Sequence, residues 1–139
     1  MLRIVAPLLL MLSFSVQAAP VCGPTFERFL TTFKEDKQFQ KDHTHYPLSY
    51  SYIDVNAEPE PRKIQLLITS AADAQARKQP DYPPKAPKKS SQFEQKITRD
   101  NTARLTVAFN QPDTDYSIEY HFEPTPNCWH LVGIDDASL

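Results

Sequence analysis

The chain has 139 residues, with 15 basic and 17 acidic side chains and a formal charge of −2. That balance gives no basic stripe for nucleic acid or an anionic membrane. It carries 13 prolines but only two glycines, Gly23 and Gly133, which stand apart, so no phosphate-cradling loop can be built from them and no cofactor motif is present.

The first 18 residues read as an export signal: Arg3, an apolar run from Ile4 to Val16, then the small-residue cleavage pattern Val16-Gln17-Ala18. The run is too short to span a bilayer. Cleavage after Ala18 leaves one domain, 19–139, of a size that supports a single core and no integral membrane segment. The expected location is therefore periplasmic or secreted. In such a compartment the two cysteines, Cys22 and Cys128, most simply form one disulfide. They lie 106 positions apart, and closing a loop of ~100 residues stabilises by about 4.7 kcal/mol on the chain-entropy account.

In chain order, Phe26, Phe29, Leu30 and Phe33 fall on one helical face, with Thr25 as cap. Asp36 caps a second short helix carrying Phe39, and Pro47 ends helical structure. Leu48, Tyr50 and Tyr52 alternate with serines as a half-buried strand. After a proline-rich turn, Ile64, Leu66 and Ile68 form the next strand, and Ser70 caps a short alanine-rich helix. The Pro/Lys-rich segment 80–91 reads as an irregular exposed loop. Four strands follow, around Phe93–Ile97, Ala103–Phe109, Tyr116–Phe122 and Cys128–Ile134. Helices followed by a strand meander imply an α+β domain, with the N-terminal helices packed on a curved, mainly antiparallel sheet of about six strands.

Alternation places Cys128, His130, Val132 and Ile134 toward the helices, with Trp129 and Leu131 on the other face, where a second apolar layer or a partner would cover part of the tryptophan. The favoured register pairs Phe122 with Cys128, Tyr120 with His130 and Ile118 with Val132; a one-residue slip would pair Phe122 with Trp129 and His121 with His130.

The element order resembles the nuclear-transport-factor-2-like superfamily, a cone-shaped α+β fold. More narrowly, Asp36-x-x-Phe39-Gln40, Tyr46-Pro47-Leu48 and Trp129-x-Leu131-x-x-Ile134 resemble an exported bacterial family, domain of unknown function 4348. The resemblance implies a cone between helices and sheet, and a first strand lying beside the last, which would bring Tyr50 near His130. It implies no activity.

Three groups of residues could carry chemistry. His130, Tyr120 and Tyr50 could do acid–base work on a small apolar substrate in a cone pocket, as an isomerase or dehydratase would. No inward carboxylate accompanies them, because Glu119 and Glu123 alternate onto the opposite face. His43-Thr44-His45 is a potential chelate that needs a third ligand, such as His121, His130 or Asp42. Arg77, Lys78, Lys85, Lys88 and Lys89 form a basic stretch that could steer an acidic partner. The reading that accommodates these features is a non-catalytic exported binding module for a small apolar ligand or a protein partner. An enzyme using His130 and Tyr120, and a periplasmic toxin-neutralising protein, are the alternatives. No metal or cofactor is expected, and the oligomeric state stays open.

Overall fold

The computed structural model describes residues 22–85 and 93–139. The proposed signal and Lys88 and Lys89 lie outside them. Three helices and six strands follow one another as α1 (Phe26–Glu35), α2 (Lys37–Asp42), β1 (Thr44–Asp54), β2 (Arg62–Ile68), α3 (Ala71–Ala76), β3 (Glu94–Arg99), β4 (Leu105–Asn110), β5 (Ser117–Pro124) and β6 (Trp129–Asp136). The strands form one sheet in the order β2-β1-β6-β5-β4-β3. Every neighbouring pair is antiparallel except β1–β6, which is parallel. The first strand thus lies beside the last. No helix among the described residues is long and apolar enough to cross a membrane.

The local signals act as their chemistry dictates. Thr25 Oγ1 accepts from the Arg28 amide at the start of α1. Asp36 Oδ1 accepts from the amides of Gln38 and Phe39, and so ends one helix while opening the next. Ser70 Oγ caps α3 through the Asp73 amide. The apolar face of α1 (Phe26, Phe29, Leu30 and Phe33) is buried. It closes on Phe122 of β5, whose ring lies 5.5, 5.7 and 5.3 Å from those of Phe26, Phe29 and Phe33. Leu48, Ile68, Val107, Ile118 and Tyr120 complete the inner face, all fully buried.

The loop after α3 departs from its expected exposure. Tyr82 is buried, with its ring 5.2 Å from Phe33 and 5.0 Å from Tyr120. An aromatic between prolines loses too much by staying in water, and here it forms part of the core. Lys85 does remain exposed, within 3.3 Å of Asp81.

The β5–β6 register also differs from the expected one. Ile118 pairs with Asp136, Tyr120 with Ile134, Phe122 with Leu131 and Glu123 with His130. Between the pairs His121–Gly133 and Phe122–Leu131, β5 advances one residue and β6 two. Val132 is the extra residue of a β-bulge, and a bulge inverts the alternation beyond it. Hence Trp129 and Leu131 face the helices together with Ile134, while His130 and Val132 turn away. Trp129 is not on a free face: its ring packs 5.5 Å from Phe26 and 5.7 Å from Phe29.

Cys22 and Cys128 form the disulfide, with Cα atoms 5.5 Å apart. Cys128 precedes the first residue of β6, so the bridge does not depend on the register. It ties the start of the helical layer to the start of the last strand. Nearby, the Leu131 amide donates to the His43 carbonyl at 2.8 Å.

Candidate functional site: the mouth of the cone

The space between helices and sheet is largely filled by aromatic rings. Two openings remain among the described residues: a half-open cavity of about 200 Å³ near the α3 end, lined among others by Phe33, Gln40, Lys41, Gln79, Asp81 and Tyr82, and one of about 240 Å³ between α1 and β3. Gln40 fixes the wall of the first: its amide Nε2 donates to the Tyr82 carbonyl at 2.9 Å and to the Phe33 carbonyl at 2.5 Å, joining α1, α2 and the loop. Gln79 Oε1 is fully buried and accepts no hydrogen bond from the described residues. A buried amide oxygen left without a donor costs about 1–3 kcal/mol. The lining mixes aromatic rings with polar side chains, Lys41 and Asp81 among them, and Gln79 Oε1 lies behind the cavity surface rather than on it. The sequence reading named none of these residues as a site; the only signal was a polar Gln79 flanking Pro80 and Tyr82.

The residues singled out for acid–base work are dispersed. Tyr120 is wholly buried and its hydroxyl donates to the Asp81 carbonyl. Burial, with smaller effects from neighbouring tyrosines and aspartates, pushes its hydroxyl well above the ordinary range. Tyr50 is raised to about 12 by burial, then by the charge of Asp136 and by Tyr52. Tyr50 pairs with Ile134, not with the neighbourhood of His130. Both tyrosines therefore hold their protons at neutral pH and neither is a base. His130 stands three residues along β5 from Tyr120, opposite Glu123 and on the other face. The structure does not bring His130 and Tyr120 together.

It does gather histidines. The His130 ring lies 5.5 Å from that of His43, and His130 shares a surface hollow with His45. Burial, then the charges of His43 and His45, lowers the His130 pKa. His43 caps α2 and stacks on Phe39 with ring centres 3.8 Å apart. His121 and Asp42 do not join this group: His121 faces the outer groove, and Asp42 accepts from the Gln38 side chain on α2.

The outer face of the sheet carries a second, polar hollow of about 420 Å³, bordered by His45, Ser51, Lys63, Arg104, His121 and Asp135. Asp135 accepts from Ser51 Oγ at 2.6 Å and from Lys63 Nζ at 2.8 Å. These interactions lower its pKa in spite of partial burial. Arg104 pairs with Glu123 at 2.7 Å. Asp135 and Arg104 are thus each paired with an opposite charge, while Arg104 Nε is buried with no partner among the described residues.

The described residues thus form a six-stranded α+β fold with helices on one face of the sheet. Among solved structures, the chain is similar to a nuclear-transport-factor-2-like protein from Bacteroides fragilis, with a TM-score of 0.53 and 18% identity over 82% of this chain and 47% of that one. The fold is therefore nuclear-transport-factor-2-like. The chain spans about half the length of that protein. No protein-family profile matches the chain, and neither does any curated protein.

Proposed function

We propose that the protein is an exported, non-catalytic binding module that holds a small ligand in the mouth of its cone. The observation that carries this reading is the 200 Å³ cavity with Gln79 Oε1 buried at its wall. The volume suits a ligand of about one ring, since a buried apolar cavity of about 150 Å³ accepts benzene. The rings of Phe33 and Tyr82 favour an apolar body, and a turn of the Gln79 side chain, whose Oε1 has no partner among the described residues, would offer one acceptor to a donor such as a phenol, an alcohol or a primary amide. No histidine lines the cavity, its tyrosines Tyr46 and Tyr82 are raised by burial, and its charged groups are Lys41 and Asp81, the latter paired with Lys85. The disulfide fits an oxidising compartment and supports export through the segment 1–18. The narrower likeness to domain of unknown function 4348 rests on the residue pattern alone and accords with this reading.

The test is a thermal-shift screen of the disulfide-bonded protein against one-ring compounds in matched pairs, each with and without a donor. Stabilisation by the donor member, lost in Gln79→Leu while the apolar member still binds, supports the reading. Equal shifts for both members, or none in either protein, overturn it.

A further inference from the structure

Outside the cone, three soft donor atoms converge. Cys22 Sγ, Cys128 Sγ and one ring nitrogen of His43 all lie within 4.8 Å of one another, among residues that are half-buried. The orientation of His43 is fixed. Its Nδ1 lies 2.9 Å from the Phe39 carbonyl, which only accepts, so Nδ1 carries the hydrogen. In the neutral ring the Nε2 lone pair then points at Cys22 Sγ, 3.6 Å away. A disulfide sulfur has no hydrogen to donate, so this contact gives the nitrogen no hydrogen bond. A backbone carbonyl on the far nitrogen, setting the tautomer and aiming the near one, is the usual support of a metal-ligating histidine.

We infer that this cluster is a redox-gated site for a soft d10 cation, Cu(I) or Zn(II). A dithiol donor passes two electrons and two protons to the bridge and closes its own disulfide. Cys22 and Cys128 become thiols, and the cation displaces both protons as it binds the thiolates and His43 Nε2. The geometry needs little change on the histidine side. Metal–sulfur bonds of about 2.3 Å and metal–nitrogen bonds of about 2.0–2.1 Å at a tetrahedral angle place S and N about 3.6 Å apart, the separation already present. The sulfurs need only move apart by opening the bridge. His130 is not among the three converging donors, but it lies beside them and would supply a fourth donor if its ring turned toward the sulfurs. Its ring lies 5.5 Å from that of His43, and its Nδ1 is buried with no partner among the described residues. Soft thiolates with one imidazole suit three-coordinate Cu(I), and a fourth nitrogen completes a tetrahedron for Zn(II).

The experiment titrates Zn(II) and, separately, Cu(I) held by a competing chelator into the full chain, oxidised and dithiol-reduced, with circular dichroism recorded alongside. The expected result is one equivalent bound by the reduced chain and none by the oxidised chain. His43→Gln should weaken binding by at least about tenfold. His130→Gln weakens Zn(II) binding alone if zinc is the cation, and leaves Cu(I) binding intact if copper is. If the reduced chain loses its fold, metal should restore it in the native sequence and not in His43→Gln. Absence of binding, or equal affinity in His43→Gln, overturns the proposal.

Discussion

On the inner face of the sheet, Leu48, Val107, Tyr120 and Phe122 are closed off by the helices. On the outer face of the same strands, Ser51, Lys63, His121 and Asp135 border an open groove. Few polar atoms enter the inner layer; Tyr120 and Gln40 are tied to backbone, whereas Gln79 Oε1 and Gln111 Nε2 have no partner among the described residues. The outer layer is a set of side-chain pairs still in reach of water. Stability should therefore reside in the inner layer, and the proposed ligand would enter it at the cone mouth, beside Gln79.

The largest effect should come from the centre of the inner layer. Phe29 is fully buried among Phe26, Phe33, Phe39 and Phe122. Phe29→Ala should destabilise by about 3–5 kcal/mol in chemical denaturation, and a neutral result would break the assignment of α1 to the core. Next comes the bridge that pins this layer to the sheet: replacing both Cys22 and Cys128 by serine should cost about 2–5 kcal/mol. Tyr120→Phe should cost about 1 kcal/mol, the loss of one buried hydrogen bond to Asp81. On the outer face, Lys63→Ala should change stability by no more than about 1 kcal/mol, because the pair with Asp135 is about half exposed on the lysine side. A larger cost there would erase the contrast between the faces.

The outer face should instead show itself through pH. His121 is held below its ordinary pKa, chiefly by burial, with Arg104 acting in the same direction and Glu119, Asp135 and Asp100 opposing. Thr106 Oγ1 lies 2.9 Å from its Nδ1. A histidine lowered in the folded state takes up its proton first when unfolded. Its contribution is therefore present above about pH 6.5 and is lost as pH falls through the lower folded value. His121→Gln should flatten the fall in stability below that pH, measured by urea denaturation at each pH. An unchanged profile would place the acid sensitivity elsewhere.

Much of this architecture was legible in the residues. The helical spacing of the phenylalanines, the caps at Thr25, Asp36 and Ser70, and the alternations of β1, β4 and β5 each express a local rule, and two cysteines that oxidise have one partner each. What escaped was non-local. The bulge at Val132 is announced only by the isolated Gly133 beside it, and it moved Trp129 and Leu131 inward and His130 outward. Tyr82 sits in a loop whose prolines announce irregularity but not burial. The cone-mouth cavity depends on both, because Leu131 and Tyr82 line it. A site composed of residues from a helix, a strand and a loop leaves no spacing in the sequence to find.

The most direct test of the central claim is an amide-resolved NMR titration of the disulfide-bonded protein with a one-ring donor compound such as phenol. Shifts confined to Ala74, Gln79, Tyr46 and Leu131 around the cavity, saturating with concentration, are predicted. Shifts that instead cluster on Ser51, His121 and Asp135 of the outer groove, or none at all, would contradict it.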